Sequence, residues 1–272
     1  MPFPLDEANQ DKLNTLTKYP SIPTHHVMDR SSRSGQLTET PTVYDGPALL
    51  SEKADGVNVR MTRLPDDDWL IGLREEWLTA RGDRVPSRDF GAVKAVKDLA
   101  ARIEPQPGVI VTLYVEVFGS KDMNAWQNYG DGTTPFVRLF DVSVIDMGML
   151  ELDREQLSRW RKKGGQPFLP EDDLQAMAAR VGVELTPRLA EIDGADLPGS
   201  VDGMRAFLEP YRTTRLAASG ISGFSEGVVI RTPDRAVISK ARFQDYDKTI
   251  RIRAESDRLA RKQDRTAAHA AF

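Results

Sequence analysis

The 272 residues include no cysteine and only three histidines, so thiolate metal sites are excluded and attention turns to lysine and carboxylate side chains. The run Ser51-Glu52-Lys53-Ala54-Asp55-Gly56-Val57-Asn58 sets a lysine between two acids and ahead of a glycine. A lysine amine becomes a nucleophile once it loses its proton, and its neighbours decide when that happens. A glycine turn after a charged strand end is the plainer reading of the same residues. In Leu113 to Phe118, strand alternation puts Leu113, Val115 and Val117 on an apolar face. Tyr114, Glu116 and Phe118 share the other face. A carboxylate flanked by aromatics suits a ribose hydroxyl beneath a stacked base, and an edge-strand glutamate in solvent fits equally well. Glu226 precedes Gly227 and an apolar run, so a phosphate or metal ion has room to approach. Lys240 and Arg242, two apart on a strand, face the same way. Burying two cations is costly unless an anion such as a triphosphate neutralises them, or a surface carboxylate pairs with them.

The elements that position these residues follow from periodicity. Residues 1–45 are rich in Pro, Thr and Ser and read as an irregular lead-in with brief strands. Strand-like runs cover Ala48-Leu49-Leu50, Val57 to Arg63, and Trp69 to Leu73. From Phe90 to Ile103, the residues Val93, Val96, Ala100 and Ile103 recur at helical spacing. Val109 to Gly119 is a strand. Phe136 to Ile145 is another, apolar enough on both faces to be central in a sheet, and the Gly-rich stretch between them is a loop. Residues 151–220 read as a helical insertion. Within it, Glu171-Asp172-Asp173 open a helix that Gly182 ends. Strands resume at Gly227 to Arg231 and Val237 to Phe243. The organisation expected is a domain over 1–246 containing the insertion, followed by a basic helical tail over 247–272.

Composition is that of a globular protein, with 40% hydrophobic and 29% charged residues. No apolar run approaches a membrane span and no signal peptide is read, so a cytoplasmic home without membrane partners is expected. A net charge of −4 argues against indiscriminate polyanion binding. Two local stripes run the other way. Lys248 to Arg265 holds seven cations against three carboxylates, and Arg154 to Lys163 holds five against one. Each reads as a phosphate-contacting surface or as a solvated helix face. Adjacent histidines on a strand face apart, so His25-His26 reads as a loop pair rather than a chelate. Trp126 and Tyr129, near Asp131, fit a packed loop or the lip of a site.

Taken in order, Lys-x-Asp-Gly, Arg, Glu-x-Phe-Gly, Phe-Asp, Glu-Gly-x-Val and Lys-x-Arg resemble the motifs of the covalent nucleotidyltransferases. Within that superfamily the chain is most similar to ATP-dependent RNA ligases of bacteriophage and bacterial type, from about Tyr19 to Tyr246. The resemblance implies an α+β nucleotidyltransferase fold, the ATP-grasp-like adenylation fold of ligases, with antiparallel sheets flanked by helices. By the same resemblance Lys53 becomes adenylylated, Glu52 borders the adenine pocket, and Asp55 and Asn58 orient the lysine and the sugar-phosphate. Arg74 contacts phosphate or ribose, Glu116 the ribose, and Phe140 stacks on adenine. Glu226 goes with a divalent metal, Mg2+ or Mn2+, and Lys240 and Arg242 go with the α-phosphate. The cofactor implied is ATP, and the partner is RNA with 5′-phosphate and 3′-hydroxyl ends.

Three departures stand out. Arg242 replaces the usual lysine of the last motif, and their donor geometries differ. Arg231 occupies a position where many relatives have lysine, and Arg81 is a rival to Arg74. About thirty residues follow Arg242, too few for a five-stranded OB barrel, so no OB domain is expected and RNA joining is favoured. The alternatives are a stand-alone DNA nick-sealing ligase and a non-catalytic nucleotide- or RNA-binding protein.

Overall fold

The structure is a computed structural model, and it describes residues 4–29, 31, 35–80, 83–84 and 91–270. The lead-in departs from expectation at once, opening with α1 (Glu7–Thr17). Asp6 caps this helix by accepting from the Asn9 N–H at 2.8 Å, and Leu13, Leu16 and Thr17 face the interior. Next come β1 (His26–Met28), β2 (Leu37–Pro41), β3 (Pro47–Lys53), β4 (Val57–Arg63), β5 (Trp69–Leu73), β6 (Trp77–Ala80) and β7 (Asp83–Arg84). The helix expected from Phe90 to Ile103 is α2 (Ala92–Ala100); Phe90 itself lies outside the described residues. It buries Ala92, Val96 and Ala100, one stripe at four-residue spacing. The later elements are β8 (Val109–Phe118), β9 (Phe136–Asp146), α3 (Arg154–Lys162), α4 (Glu171–Val181), β10 (Arg188–Asp193), α5 (Val201–Leu208), β11 (Gly227–Arg231), β12 (Ile238–Arg242) and α6 (Phe243–Ala270).

Two antiparallel sheets form the body, of order β10-β3-β11-β12 and β7-β6-β5-β4-β8-β9, beside the small pair β1-β2. The larger sheet packs Val59, Met61, Leu113 and Val115 against α2 and α4. The smaller packs Leu50, Val228 and Ile230 with Met204 and Leu208 of α5 and with Phe243 and Tyr246 of α6. Each wall is therefore backed by its own core. Truncating one fully buried leucine in such a core costs about 2–5 kcal/mol.

Two further expectations are corrected. Although apolar on both faces, β9 is an edge strand. Segments 168–169 and 184–186 cover it, with Leu169 N–H donating to Val142 O at 2.9 Å and Leu139 N–H to Glu184 O at 2.8 Å. The stretch 151–220 is not wholly helical, because β10 lies within it and pairs with β3. One segment thus touches both walls: Thr186 donates to Leu139 O of β9 at 2.9 Å, and Pro187 O accepts from Glu52 N–H of β3 at 2.9 Å. His25 and His26, expected as a loop pair, are both buried, and His26 is the first residue of β1. His26 Nδ1 meets Tyr246 Oη at 2.8 Å, and burial pushes His25 down to about 4. No helix among the described residues is long and apolar enough to cross a membrane.

Candidate active site

Antiparallel register brings the central pair together. Gly227, the first residue of β11, lies opposite Lys53, the last of β3, and Glu226 N–H donates to Lys53 O at 3.2 Å. This leaves Lys53 Nζ 2.5 Å from Glu226 Oε2. Gly227 is required there. A Cβ would collide with the Ala241 carbonyl oxygen and come within 2.7 Å of Arg242 Cα.

The lysine lies on the wall of an open cleft of about 240 Å³ between the two sheets. Glu52, Asn58, Arg74, Glu116, Phe140 and Lys240 line this cleft with it. Glu116 sits across from Asn58 on β4 and accepts from the Gly56 N–H at 3.1 Å. Phe140 reaches the cleft because β9 has a bulge there: Asp141 pairs with Tyr114 and Leu139 with Val115, which leaves Phe140 as the extra residue. Tyr19 stands edge-on to Phe140, ring centres 5.0 Å apart. Lys240 has no ion-pair partner among the described residues. Asn58 Oδ1 is buried and likewise lacks a hydrogen-bond partner among them.

Three sequence candidates sit differently. Asp55 is outside the cleft lining, and its backbone N–H donates to Tyr129 Oη at 2.7 Å. Arg242 forms a bidentate pair with Asp245, at 2.8 and 2.9 Å, and lies 3.6 Å from Glu226. The carboxylate of Glu52, 2% exposed, is held by the Thr214 hydroxyl and by the Arg215 N–H at 2.8 Å. Arg81 lies outside the described residues.

Electrostatics centre on the lysine. Burial pulls its pKa down, but Glu116, Glu226 and Asp55 outweigh burial, so the ammonium form is favoured above the ordinary value. Burial pushes Glu116 up to about 7, with Glu226 and Asp55 adding to the rise. Burial and then the charge of Glu226 also raise Asp55. Lys240 is lowered by burial, Arg242 and Lys53. Oxygen donors crowded by like charge suit a hard cation. No group of three His, Cys, Asp or Glu that could hold a metal ion is found among the described residues.

Sequence reasoning named Arg231 as a departure from the family pattern and missed the rest of the cleft floor. Arg231, Arg188, Thr186 and Tyr19 line it. Arg231 pairs with Glu171, Arg188 binds the same carboxylate at 2.8 and 2.9 Å, and Tyr19 donates to Asp141 at 2.9 Å. The partners lie up to 122 residues apart, so no local motif signals them. Trp126 and Tyr129 belong to a packed loop, with Tyr129 buried against Phe118.

A model of the RNA ligase family matches residues 46–248. The chain belongs to this family. No curated protein matches this RNA ligase family member in sequence. Among solved structures it is similar to the Naegleria gruberi RNA ligase with PPi, at 12% identity over 84% of this chain and 62% of that one, with a TM-score of 0.50. A mutant of that enzyme with ATP and Mn is similar at 12% identity, 86% and 62% coverage, and a TM-score of 0.49. An archaeal ATP-dependent RNA ligase is similar at 13% identity, 84% and 48% coverage, and a TM-score of 0.47. The chain spans about three-fifths of the length of the Naegleria structures. At these identities the shared property is the mixed α and antiparallel-β fold.

Proposed function

We infer that this RNA ligase family member joins RNA 5′-phosphate and 3′-hydroxyl ends, using ATP and passing through a lysyl-AMP. The observation that carries this reading is Lys53 Nζ 2.5 Å from Glu226 at the wall of the cleft. Family membership and the shared fold of a relative solved with PPi support it.

In this reading Lys53 Nζ attacks the α-phosphorus of ATP. The N–P bond forms as the P–O bond to pyrophosphate breaks, and the electron pair departs with pyrophosphate. An RNA 5′-phosphate oxygen then displaces the lysine and takes the adenylyl group. A 3′-hydroxyl attacks the activated phosphate, AMP leaves, and a phosphodiester remains. All three steps are displacements at phosphorus, so one set of charges serves them.

The residues divide the labour as follows. Glu226, with Glu116 nearby, would hold Mg2+ or Mn2+, and the metal would neutralise charge building on phosphoryl oxygens. With Glu226 engaged in this way, less negative charge would hold the proton on Lys53, which would favour the neutral nucleophilic amine. Lys240, without an ion-pair partner among the described residues and in the same cleft, binds the α-phosphate, and Arg74 binds phosphate or ribose. Phe140 stacks on adenine with Tyr19 bracing it, Glu116 binds the ribose, and Asn58 supplies its free oxygen to the same region. Asp55 holds the turn that aims Lys53. Arg242 fixes Asp245 and the start of α6, placing its charge near Glu226. Glu52 anchors the adenine end of the wall through Thr214 and Arg215.

Incubation with ATP and Mg2+ or Mn2+, followed by intact-mass measurement, tests the reading. The expected result is an acid-labile gain of one AMP that disappears in Lys53→Ala. No gain with either metal, on protein freed of prior adenylate, refutes the covalent step. Sealing of matched nicks tests the substrate: RNA nicks should seal preferentially, and equal sealing of an all-DNA nick assigns the chain to nick sealing in general.

A further inference from the structure

On the α1 side of the cleft, next to Arg74, lies a group of cations that the joining reading leaves without a task. Arg60 on β4 is fully buried, and no carboxylate among the described residues pairs with it. Its guanidinium donates to Asn14 O and Thr17 Oγ1, both at 3.1 Å, and lies 3.9 Å from the centre of the Trp77 ring. Its Nε has no hydrogen-bond partner among those residues, and neither do the buried Nε atoms of Arg74 and Arg161. Lys18 completes the group. Lys18 follows Thr17, to which Arg60 donates, and shares Glu75 with Arg74; burial, and then the other cations, lower the pKa of Lys18 and Arg161, and burial brings Arg60 to about 9. Glu75 pairs within the group, taking Lys18 and reaching Arg74 at 3.8 Å, but it is 64% exposed and free to turn away. Gathering like charges on a partly dry surface is costly unless an anion visits it.

The position of the group says which anion. Lys18 immediately precedes Tyr19, and Arg74 is shared with the cleft, so the group continues the cleft outward. From Arg161 the basic side chains of α3 continue with Arg154, seven residues back on the same side, and with Lys162 and Arg159 around the flank. Arg154 and Arg159 are 71% and 65% exposed and lie 3.4 Å from Asp11 and 3.9 Å from Glu155. A nine-residue helix is roughly 13 Å long. A nucleotide seated in the cleft does not extend along such a helix, whereas successive phosphates of a strand do. We propose that Lys18, Arg74 and Arg161, backed by buried Arg60 and prolonged by α3, form the track along which an RNA strand lays its phosphates as its end reaches Lys53. The proposal rests on the joining reading only for the direction of travel.

The test is the salt dependence of binding to a fluorescent, 5′-phosphorylated single-stranded RNA, measured by anisotropy. Each lost phosphate contact on a single strand lowers the slope of log K against log salt by about 0.7. Lys18→Gln with Arg161→Gln should therefore weaken binding and flatten the slope by roughly 1.4, with the AMP adduct still formed. Arg161→Lys should restore most of the lost slope. The exposed pair Arg159→Gln with Lys162→Gln tests the same track without disturbing any buried atom, and its slope should fall in the same direction. An unchanged slope in both double variants overturns the proposal. So does a raised KM for ATP with RNA binding intact, which would assign the cations to the triphosphate. Loss of the slope only in Arg258→Gln/Arg261→Gln/Lys262→Gln would move the track to α6 and equally overturn it. Because adduct mass and RNA affinity are read separately, failure of the joining reading leaves this outcome distinguishable.

Discussion

At the residue scale, Lys53 rests in the wrong protonation state for attack, and the residues responsible are identifiable. Burial alone would favour the neutral amine, yet Glu116, Glu226 and Asp55 hold the proton on. Glu226→Gln removes one of these anions, so the Lys53 pKa should drop. Acylation of Lys53 by an amine-reactive reagent, followed by mass spectrometry across pH, should show the midpoint moving to lower pH than in the parent. An unmoved midpoint would mean that Glu226 does not set the lysine's charge. Glu116 carries the opposite sign. An unfolded glutamate titrates near about 4.3, while burial lifts Glu116 to about 7 in the folded chain. The native state therefore binds more protons in that window, and its stability falls as pH rises through it. Glu116→Gln cancels this dependence and keeps an acceptor for Gly56. Its Tm relative to the parent should climb from about pH 4.5 to about pH 7 in thermal scans; a flat difference would contradict the assignment.

At the element scale, strands announced themselves better than the surfaces between them. Val57 to Arg63 and Trp69 to Leu73 were legible to the residue, because alternation and β-branched content are local properties. The place of β9 was not, since apolar residues on both faces signal cover and not rank within a sheet, and the cover comes from 168–169 and 184–186. Nor was α1, whose Asp6 cap and Leu13 and Leu16 stripe are sparse beside the prolines around them. Of the candidate site, the residues in short motifs were readable, and most of these line one cleft. Thr214 and Arg215 beneath Glu52, and the Arg231–Glu171–Arg188 floor, depend on contacts distant in sequence. The turn between β3 and β4 offers a test at this scale. A Cβ on Gly56 would meet the Val117 carbonyl oxygen and lie 2.8 Å from Phe118 Cβ. Gly56→Ala should cost about 1–3 kcal/mol by overpacking, measured by urea unfolding, and should cut adduct formation more than Gly199→Ala, whose Cβ meets nothing within 4 Å.

At the scale of the whole molecule, α6 divides in two. Up to Arg253 it is anchored, with Tyr246 and Thr249 buried and the Arg253 guanidinium donating to Leu37 O at 2.9 Å. From Ala254 to Asp264 every residue is exposed. Truncation after Arg253 should leave Tm within about 2–4 °C of the parent, the shift expected for roughly 1 kcal/mol in a domain of this size; a larger loss in calorimetry would show that the distal half is part of the fold. The segment from Glu184 to Asp193 has the reverse character. It bonds β9 of one wall through Glu184 and Thr186 and β3 of the other through Pro187 and the β10 ladder. The walls therefore cannot breathe apart without breaking the bonds on one side or the other of this segment. Deuterium uptake at the amides of Leu139, Thr186 and Glu52 should then proceed at a single, slow rate set by global unfolding, which makes the gap between the walls a fixed aperture that substrate must match.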